Sequence, residues 1–277
     1  MTLDSLAEWL RCPVCTELLS PVERLTLGCA SGHRFDVNRR GYVTLVAGNS
    51  RLSGDSAEML ASRERVLESG LYSPVAVALA ELAVGRAVLD AGVGTGYYLR
   101  AVLAANPGAH GLAMDLSPAA VARAVQPGPG TPGPGTPGPV IDGLVADTWR
   151  PLPVRDGVCD VVLNVFAPRN LPEFHRVLRP GGNLLVVVPR TEHLAELRAA
   201  GRMLDVPPDK ASAVIDAAAQ LFTLREQRAV RETIPLTPEV ADALVGMGPS
   251  AHHRRSDAGA LPRRATLAVD VLWFVSR

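Results

Sequence analysis

Lysine is almost missing from this chain: of its 28 basic residues only Lys210 is not an arginine. The 28 acidic residues cancel them to a formal net charge of zero, so no global field draws in nucleic acid, and any such contact must come from a local patch. Aromatic residues make up 4% of the 277 positions and cysteine only 4 of them, which excludes a disulfide-dense scaffold. No apolar run nears the roughly 18 residues of a membrane span; even the stretch 74–84 is interrupted by Glu81. Asp4 and Glu8 stand where a secretion signal would carry positive charge. The expectation is a soluble, cytoplasmic protein without membrane contact. With 47% hydrophobic residues it can bury a substantial core, as one large domain or one domain plus a small one.

Three of the four cysteines fall within the first 29 residues, which marks residues 1–45 as a small separate module. Residues 46–72 read as a connecting segment, with Met59, Leu60, Val66 and Leu67 at helical spacing, and Ser73-Pro74 reads as an N-cap and first helical position. From 73 to 277 short apolar runs at 87–92, 111–117, 143–147, 159–166 and 183–189 alternate with helical patterns, which predicts parallel strands with crossover helices. Segments 192–204, 210–220 and 238–246 read as helices, and 265–277 as a closing strand or strand pair. The tract Q-P-G-P-G-T-P-G-P-G-T-P-G-P (126–139) cannot be the interior of either element and is expected to be an exposed loop.

Cys12, Cys15, Cys29 and His33 form the pattern C-x2-C-x13-C-x3-H. Two tight turns, each presenting a pair of ligands, suit the tetrahedral preference of zinc. A disulfide would need an oxidising compartment and leave His33 idle, and a thioredoxin-like redox pair would need a different fold around Cys12 and Cys15. A closed set of four ligands makes the expected Zn2+, one per chain, structural. Beside it, Arg34, Phe35, Arg39 and Arg40 interleave charge with an aromatic ring, which suits RNA phosphates and bases; a solvated basic turn with Phe35 packed on the metal loop fits equally. Cys159, at the start of an apolar run, reads as a buried core thiol.

The segment V-L-D-A-G-V-G-T-G-Y-Y (88–98) is a strand, a glycine turn and a helix start. A dinucleotide loop wants G-x-G-x-x-G, but Tyr97 stands at the last glycine, and a P-loop would need a lysine that is not there. The acid-first pattern resembles motif I of class I, Rossmann-like, S-adenosylmethionine-dependent methyltransferases. That resemblance implies cofactor contacts from Asp90, Gly92, Gly94, Thr95 and Gly96, from Asp115 at the ribose and from Asp147 near the adenine. R-V-L-R-P-G-G-N-L-L-V-V-V-P (176–189) looks like the helix, PGG turn and strand late in the same sheet.

Taken with the cysteine pattern, G-D-S-A-E-M (54–59), G-L-Y (70–72), N-V-F-A-P (164–168) and H-L-A-E-L (193–197) make the chain similar to the 23S rRNA guanine-N1 methyltransferases over nearly its whole length. Within that family it most resembles the tylosin-resistance branch. The resemblance implies an α/β class I methyltransferase with an N-terminal zinc-binding domain, a 23S rRNA hairpin as substrate, no DNA partner, and a homodimer as one arrangement. The branch is expected to methylate guanosine-748 in a hairpin lining the peptide exit tunnel. Tyr72 and His193 match cofactor-contacting positions. N-V-F-A-P stands where other base-modifying methyltransferases grip a flipped base, so Asn164 and the Phe166 backbone are expected to position the guanine edge, with Asp147 as a further catalytic candidate. Two other readings share the cofactor motifs: a small-molecule methyltransferase, and a non-catalytic zinc-containing RNA-binding protein.

Overall fold

The computed structural model describes residues 2–46, 54–127, 139–248 and 261–277. Most of the Gly-Pro tract and the polar run 250–255 lie outside the described residues.

Among the described residues eleven strands form one sheet in the order β1-β2-β3-β4-β7-β6-β5-β8-β9-β11-β10. Its centre is parallel: β7 (Val140–Val145), β6 (His110–Asp115), β5 (Ala87–Ala91), β8 (Cys159–Val165) and β9 (Leu178–Pro189). These are the apolar runs of the sequence, buried on both faces because helices cover both. Helices α3 (Ser73–Leu82), α4 (Tyr97–Ala105) and α9 (Pro238–Gly246) contribute to one apolar cluster, and α1 (Leu3–Trp9), α6 (Leu171–Val177) and α8 (Lys210–Ala218) to the other. Strand β11 (Arg264–Ser276) is one long strand antiparallel to β9, and β10 (Phe222–Pro235) pairs with it to close the sheet. Within β9 the P-G-G bulges out, since the ladder to β8 steps from Cys159↔Leu178 to Val161↔Asn183.

The N-terminal meander of β1 (Ser20–Glu23), β2 (Thr26–Gly28), β3 (Arg34–Asn38) and β4 (Tyr42–Thr44) joins the main sheet through the parallel pairing of β4 with β7. Leu6, Trp9, Leu10 and Leu27 share a core with Leu112, Leu144, Leu152 and Val154. The division at residue 45 therefore follows composition and not packing. In the segment expected to be a connection, α2 (Ala57–Glu68) packs on α9, with Ser56 as its N-cap, accepting from the Met59 N–H.

Other readings shift. Tyr72, not Ser73, is the N-cap residue of α3, with the proline one position further in. The helix expected over 192–204 shortens to α7 (Ala195–Ala199), entered through Leu194 at φ +54.

Candidate active site and metal centre

The carboxyl ends of β5, β6 and β8 converge on the glycine turn. Gly92, Gly94 and Gly96 have φ of +92, +55 and +82, which favours residues without a Cβ. A Cβ on Gly92 would stand 2.4 Å from the Cβ of Ala167, and one on Gly96 2.9 Å from the Ala124 Cα. The turn is thus wedged between α5 (Pro118–Ala124) and the loop after β8, with the side chain of Thr95 buried inside it.

Asp90 and Asp115 face this turn. Asp115 accepts from the Gly94 N–H at 3.0 Å through one oxygen and from the Ser117 N–H at 2.9 Å through the other; burial still holds its pKa above the ordinary carboxylate value. Asp90 is 1% exposed, and its Oδ1 has no hydrogen-bond partner among the described residues. Burial, reinforced by the charge of Asp115, pushes its pKa up to about 8. Asp147 accepts from the Trp149 N–H at 2.9 Å. It follows β7, with β6 and β5 between that strand and β8, which puts it with Asp115 and apart from Phe166.

Three rings meet on the other side. Phe166, at φ +53 and 42% exposed, stacks on His193 with 18° between planes and 6.0 Å between centroids, and meets Tyr72 edge-on at 6.0 Å. Left-handed backbone at a phenylalanine costs on the order of 1 kcal/mol, offset here by the ladder bond from its N–H to the Val187 carbonyl. The next donor along that ladder would be Pro189, which has no N–H, so the sheet leaves the Phe166 carbonyl unpaired. His193 accepts the Ala268 N–H at Nδ1, 3.2 Å, so its proton sits on Nε2 and is donated to the Tyr72 hydroxyl at 3.2 Å. Burial, with the charges of Arg198 and Lys210, pulls His193 down to about 4, and burial pushes Tyr72 up. Both are neutral at pH 7, and with its lone pair occupied the imidazole is no base.

Asn164 sits near the end of β8. It is fully buried, and its Nδ2 donates to the Ala91 carbonyl at 3.1 Å and the Pro168 carbonyl at 2.8 Å. Both amide hydrogens are spent on tying the end of β5 to the loop after β8, while its Oδ1 has no partner among the described residues. Sequence reasoning missed Arg63 on α2. Arg63 pairs with Asp55 and donates to the Met247 carbonyl at 3.0 Å, and its Nη1 lies 3.1 Å from where a Gly94 Cβ would stand. No spacing signal marks it, because an arginine on an amphipathic helix reads as solvated surface.

At the other end of the sheet the four predicted ligands come together, with all ligand atoms within 4.8 Å of one another. Cys15 Sγ lies 3.5 Å from Cys29 Sγ, and His33 Nδ1 lies 3.3 Å from Cys29 Sγ and 3.7 Å from Cys12 Sγ. Tetrahedral zinc with bonds of about 2.0–2.3 Å requires ligand separations of this size. Arg34 is exposed next to His33, and Arg39 and Arg40 are exposed beyond the far end of β3, while Phe35 is half-buried against the adjoining apolar cluster, which favours its packing reading over stacking. Cys159 is a buried core thiol whose pKa burial pushes up.

Comparison with known proteins matches this architecture. The profile described as "RlmA, N-terminal", a zinc ribbon, matches residues 10–53, and the profile "Methyltransferase domain" matches residues 89–186. The chain is 40% identical over 260 residues to the 23S rRNA (guanine(748)-N(1))-methyltransferase of Streptomyces fradiae, covering 91% of this chain and 89% of that protein. It is 43% identical over 266 residues to a Micromonospora griseorubida protein named for 23S rRNA guanine-N(1) methylation, covering 88% and 87%. The chain belongs to the 23S rRNA guanine-N1 methyltransferases. A chain of the complex between the Haloferax volcanii Trm112 methyltransferase activator and a methyltransferase shares the fold, with a TM-score of 0.52 at 22% identity over 78% of this chain and 93% of that one.

As a member of that family the protein is an S-adenosylmethionine-dependent methyltransferase with a structural zinc. The donor set fits the cofactor. At the ends of the neighbouring strands β5 and β8, Asp90 Oδ1 and Asn164 Oδ1 are buried acceptors lacking donors, and a ligand bearing an ammonium group supplies donors. Asp115 retains acceptor lone pairs beyond its two backbone bonds.

Proposed function

We propose that this protein methylates N1 of guanosine-748 in the exit-tunnel hairpin of 23S rRNA, and that the modification confers resistance to tylosin-type macrolides. The alignment with the Streptomyces fradiae enzyme over 91% of the chain carries the choice of nucleotide. The ring trio of Phe166, Tyr72 and His193 at the end of β8 supports a planar base at that point. Bound S-adenosylmethionine supplies the electrophilic methyl group.

Guanine presents its N1–H and its 2-amino group as donors, and N1 becomes a nucleophile only as its proton leaves. The unpaired Phe166 carbonyl is an acceptor suited to that edge, and the Phe166 ring, braced by His193, offers a face for the flipped base. Neutral His193, with Nδ1 on the Ala268 N–H, holds the Tyr72 oxygen and leaves the phenolic hydrogen free to point into the cleft. Asp90, Gly92, Gly94, Thr95, Gly96, Asp115 and Asp147 hold the cofactor, and Asn164 fixes the loop on which Phe166 sits. Arg34, Arg39 and Arg40 on the ribbon contact RNA phosphates, in the cytoplasm where ribosomes assemble, and a homodimer would let two ribbons flank one hairpin.

The test is transfer of labelled methyl from S-adenosylmethionine to 23S rRNA lacking the modification, followed by nuclease digestion and mass spectrometry. N1-methylguanosine at position 748, with a raised tylosin tolerance in a susceptible host, is the expected result. Methylation at another guanosine would remove the assignment of the nucleotide. Binding of the cofactor without any labelling of RNA would favour a small-molecule acceptor.

A further inference from the structure

A cavity of about 910 Å3 opens beside the loop that follows β8, lined among others by Trp149, Pro168, Arg169, Asn170 and Lys210. Of the three tryptophans, Trp9 is buried in the core and Trp273 half-buried, but Trp149 is 61% exposed. It is displayed by a built support: its N–H donates to Asp147, and Asn170 Nδ2 donates to the Thr148 carbonyl at 2.8 Å and the Arg150 carbonyl at 3.3 Å. The peptide units on both sides of the ring are thereby held.

Two cations, Arg169 and Lys210, line the same cavity. Among the described residues neither Arg169 nor Lys210 is within 4.0 Å of an acidic side chain. Burial lowers the pKa of both, and the charge of Arg169 lowers that of Lys210 further. Two like charges held together without an acid leave room for an anion. The cavity borders the active cleft: Pro168 lines it two residues from Phe166, and the charge of Lys210 is felt at His193.

An exposed ring and two cations lining one cavity are the chemistry that binds single-stranded nucleic acid, by stacking on a base and neutralising the adjoining phosphate. We propose that this cavity seats the nucleotide next to the target guanosine, its base on Trp149 and its phosphate between Arg169 and Lys210. The inference rests on the reading of the substrate as RNA. It places a part of RNA recognition on the catalytic domain itself, apart from the zinc ribbon.

The experiment uses the full-length zinc-loaded protein, S-adenosylmethionine and a transcript of the 23S rRNA hairpin. Trp149→Ala raises the RNA KM roughly five- to tenfold with kcat at saturating RNA and cofactor affinity within about twofold of the parent. Lys210→Gln flattens the slope of log affinity against log salt by about 0.7, and the pair Arg169→Gln with Lys210→Gln by about 1.4. RNA also quenches tryptophan emission in the parent, and Trp149→Phe loses that quenching. If the parent methylates the hairpin while the variants keep its KM, salt slope and quenching, the cavity does not hold RNA. A loss of cofactor affinity with an unchanged RNA KM likewise overturns the proposal. A parent that neither binds nor methylates the hairpin fails the functional reading itself, and the subsite falls with it.

Discussion

On the proposed function, Asp90 holds a proton that the ammonium group of the cofactor would displace. Its pKa of about 8 in the folded chain comes from burial and from Asp115, so at pH 7 the cofactor-free protein carries it mostly neutral, whereas an ammonium group favours the carboxylate. Cofactor binding should therefore release close to one proton at pH 7 and tighten as pH rises from 6 to 8. Calorimetry in buffers of different ionisation enthalpy counts that proton, and a count near zero would sink the argument. The sign for stability is opposite: the unfolded Asp90 loses its proton near 3.8 and the folded one near 8, so the contribution present below pH 4 is lost as pH climbs through that window. Asp90→Asn should then raise the melting temperature of the cofactor-free protein at pH 8 by a few degrees, while weakening the cofactor at least tenfold. On the opposite wall, Tyr72→Phe keeps the ring packing and removes only the hydroxyl. We expect it to lower kcat or cofactor affinity severalfold and to lower the melting temperature by a few degrees, because the buried His193 Nε2–H loses its acceptor, read from kinetics beside a thermal scan. Motif spacing made the glycine turn after Asp90 legible, with positive φ at Gly92, Gly94 and Gly96, because a sharp turn at a strand end has a short-range pattern. Asn164 was legible as a residue, but the anchoring of its amide nitrogen on the Ala91 and Pro168 carbonyls was not, because no local pattern encodes a bond to a neighbouring strand.

Elements show the same division. The central parallel strands were readable because burial on both faces demands continuous apolar runs. β10 was not, since its outward positions, Arg225, Gln227 and Arg231 among them, are exposed and its sequence alternates charges with few apolar residues. Polar side chains are what an edge strand needs to resist pairing with another chain, so the property that protects β10 also hides it. The first 45 residues are the more consequential case. Composition sets them apart, but β4 extends the sheet at β7, and α1 brings Leu6 and Trp9 into a core shared with the catalytic strands. Deleting residues 1–45 should accordingly expose the edge of β7 and yield insoluble protein, instead of a free methyltransferase domain. Replacing one ligand is the gentler cut. Cys12→Ser should release zinc, measured by metal analysis, and abolish rRNA methylation while keeping cofactor affinity within a few fold, because the glycine turn and Asp90 lie several strands away. Methylation surviving at parental rate without zinc would remove the ribbon from RNA recognition.

The whole molecule must hold a polyanion without a net charge to attract it. With 28 basic and 28 acidic residues there is no long-range field, so affinity for RNA has to reside in the few cations that touch phosphate, each contributing about 0.7 to 0.9 to the salt slope. On the ribbon, Arg34 lies on β3, while Arg39 and Arg40 occupy the turn into β4, where the Arg40 N–H donates to the Asn38 side chain. All three are exposed, and the ion pairs among the described residues include none of them. Their positive charge is thus available to a ligand, and replacing them disturbs no internal contact of that kind. The triple variant Arg34→Gln, Arg39→Gln and Arg40→Gln should bind the 23S rRNA hairpin more weakly, with a salt slope flatter by about 2 to 2.7, and should retain zinc, melting temperature and cofactor affinity. Filter binding across a range of potassium chloride concentrations measures the slope. A parental slope in the triple variant would mean that RNA does not cross the ribbon and that its phosphates are met on the catalytic domain alone. An intermediate change of about 0.7 would assign one of the three arginines to phosphate, which single substitutions then identify.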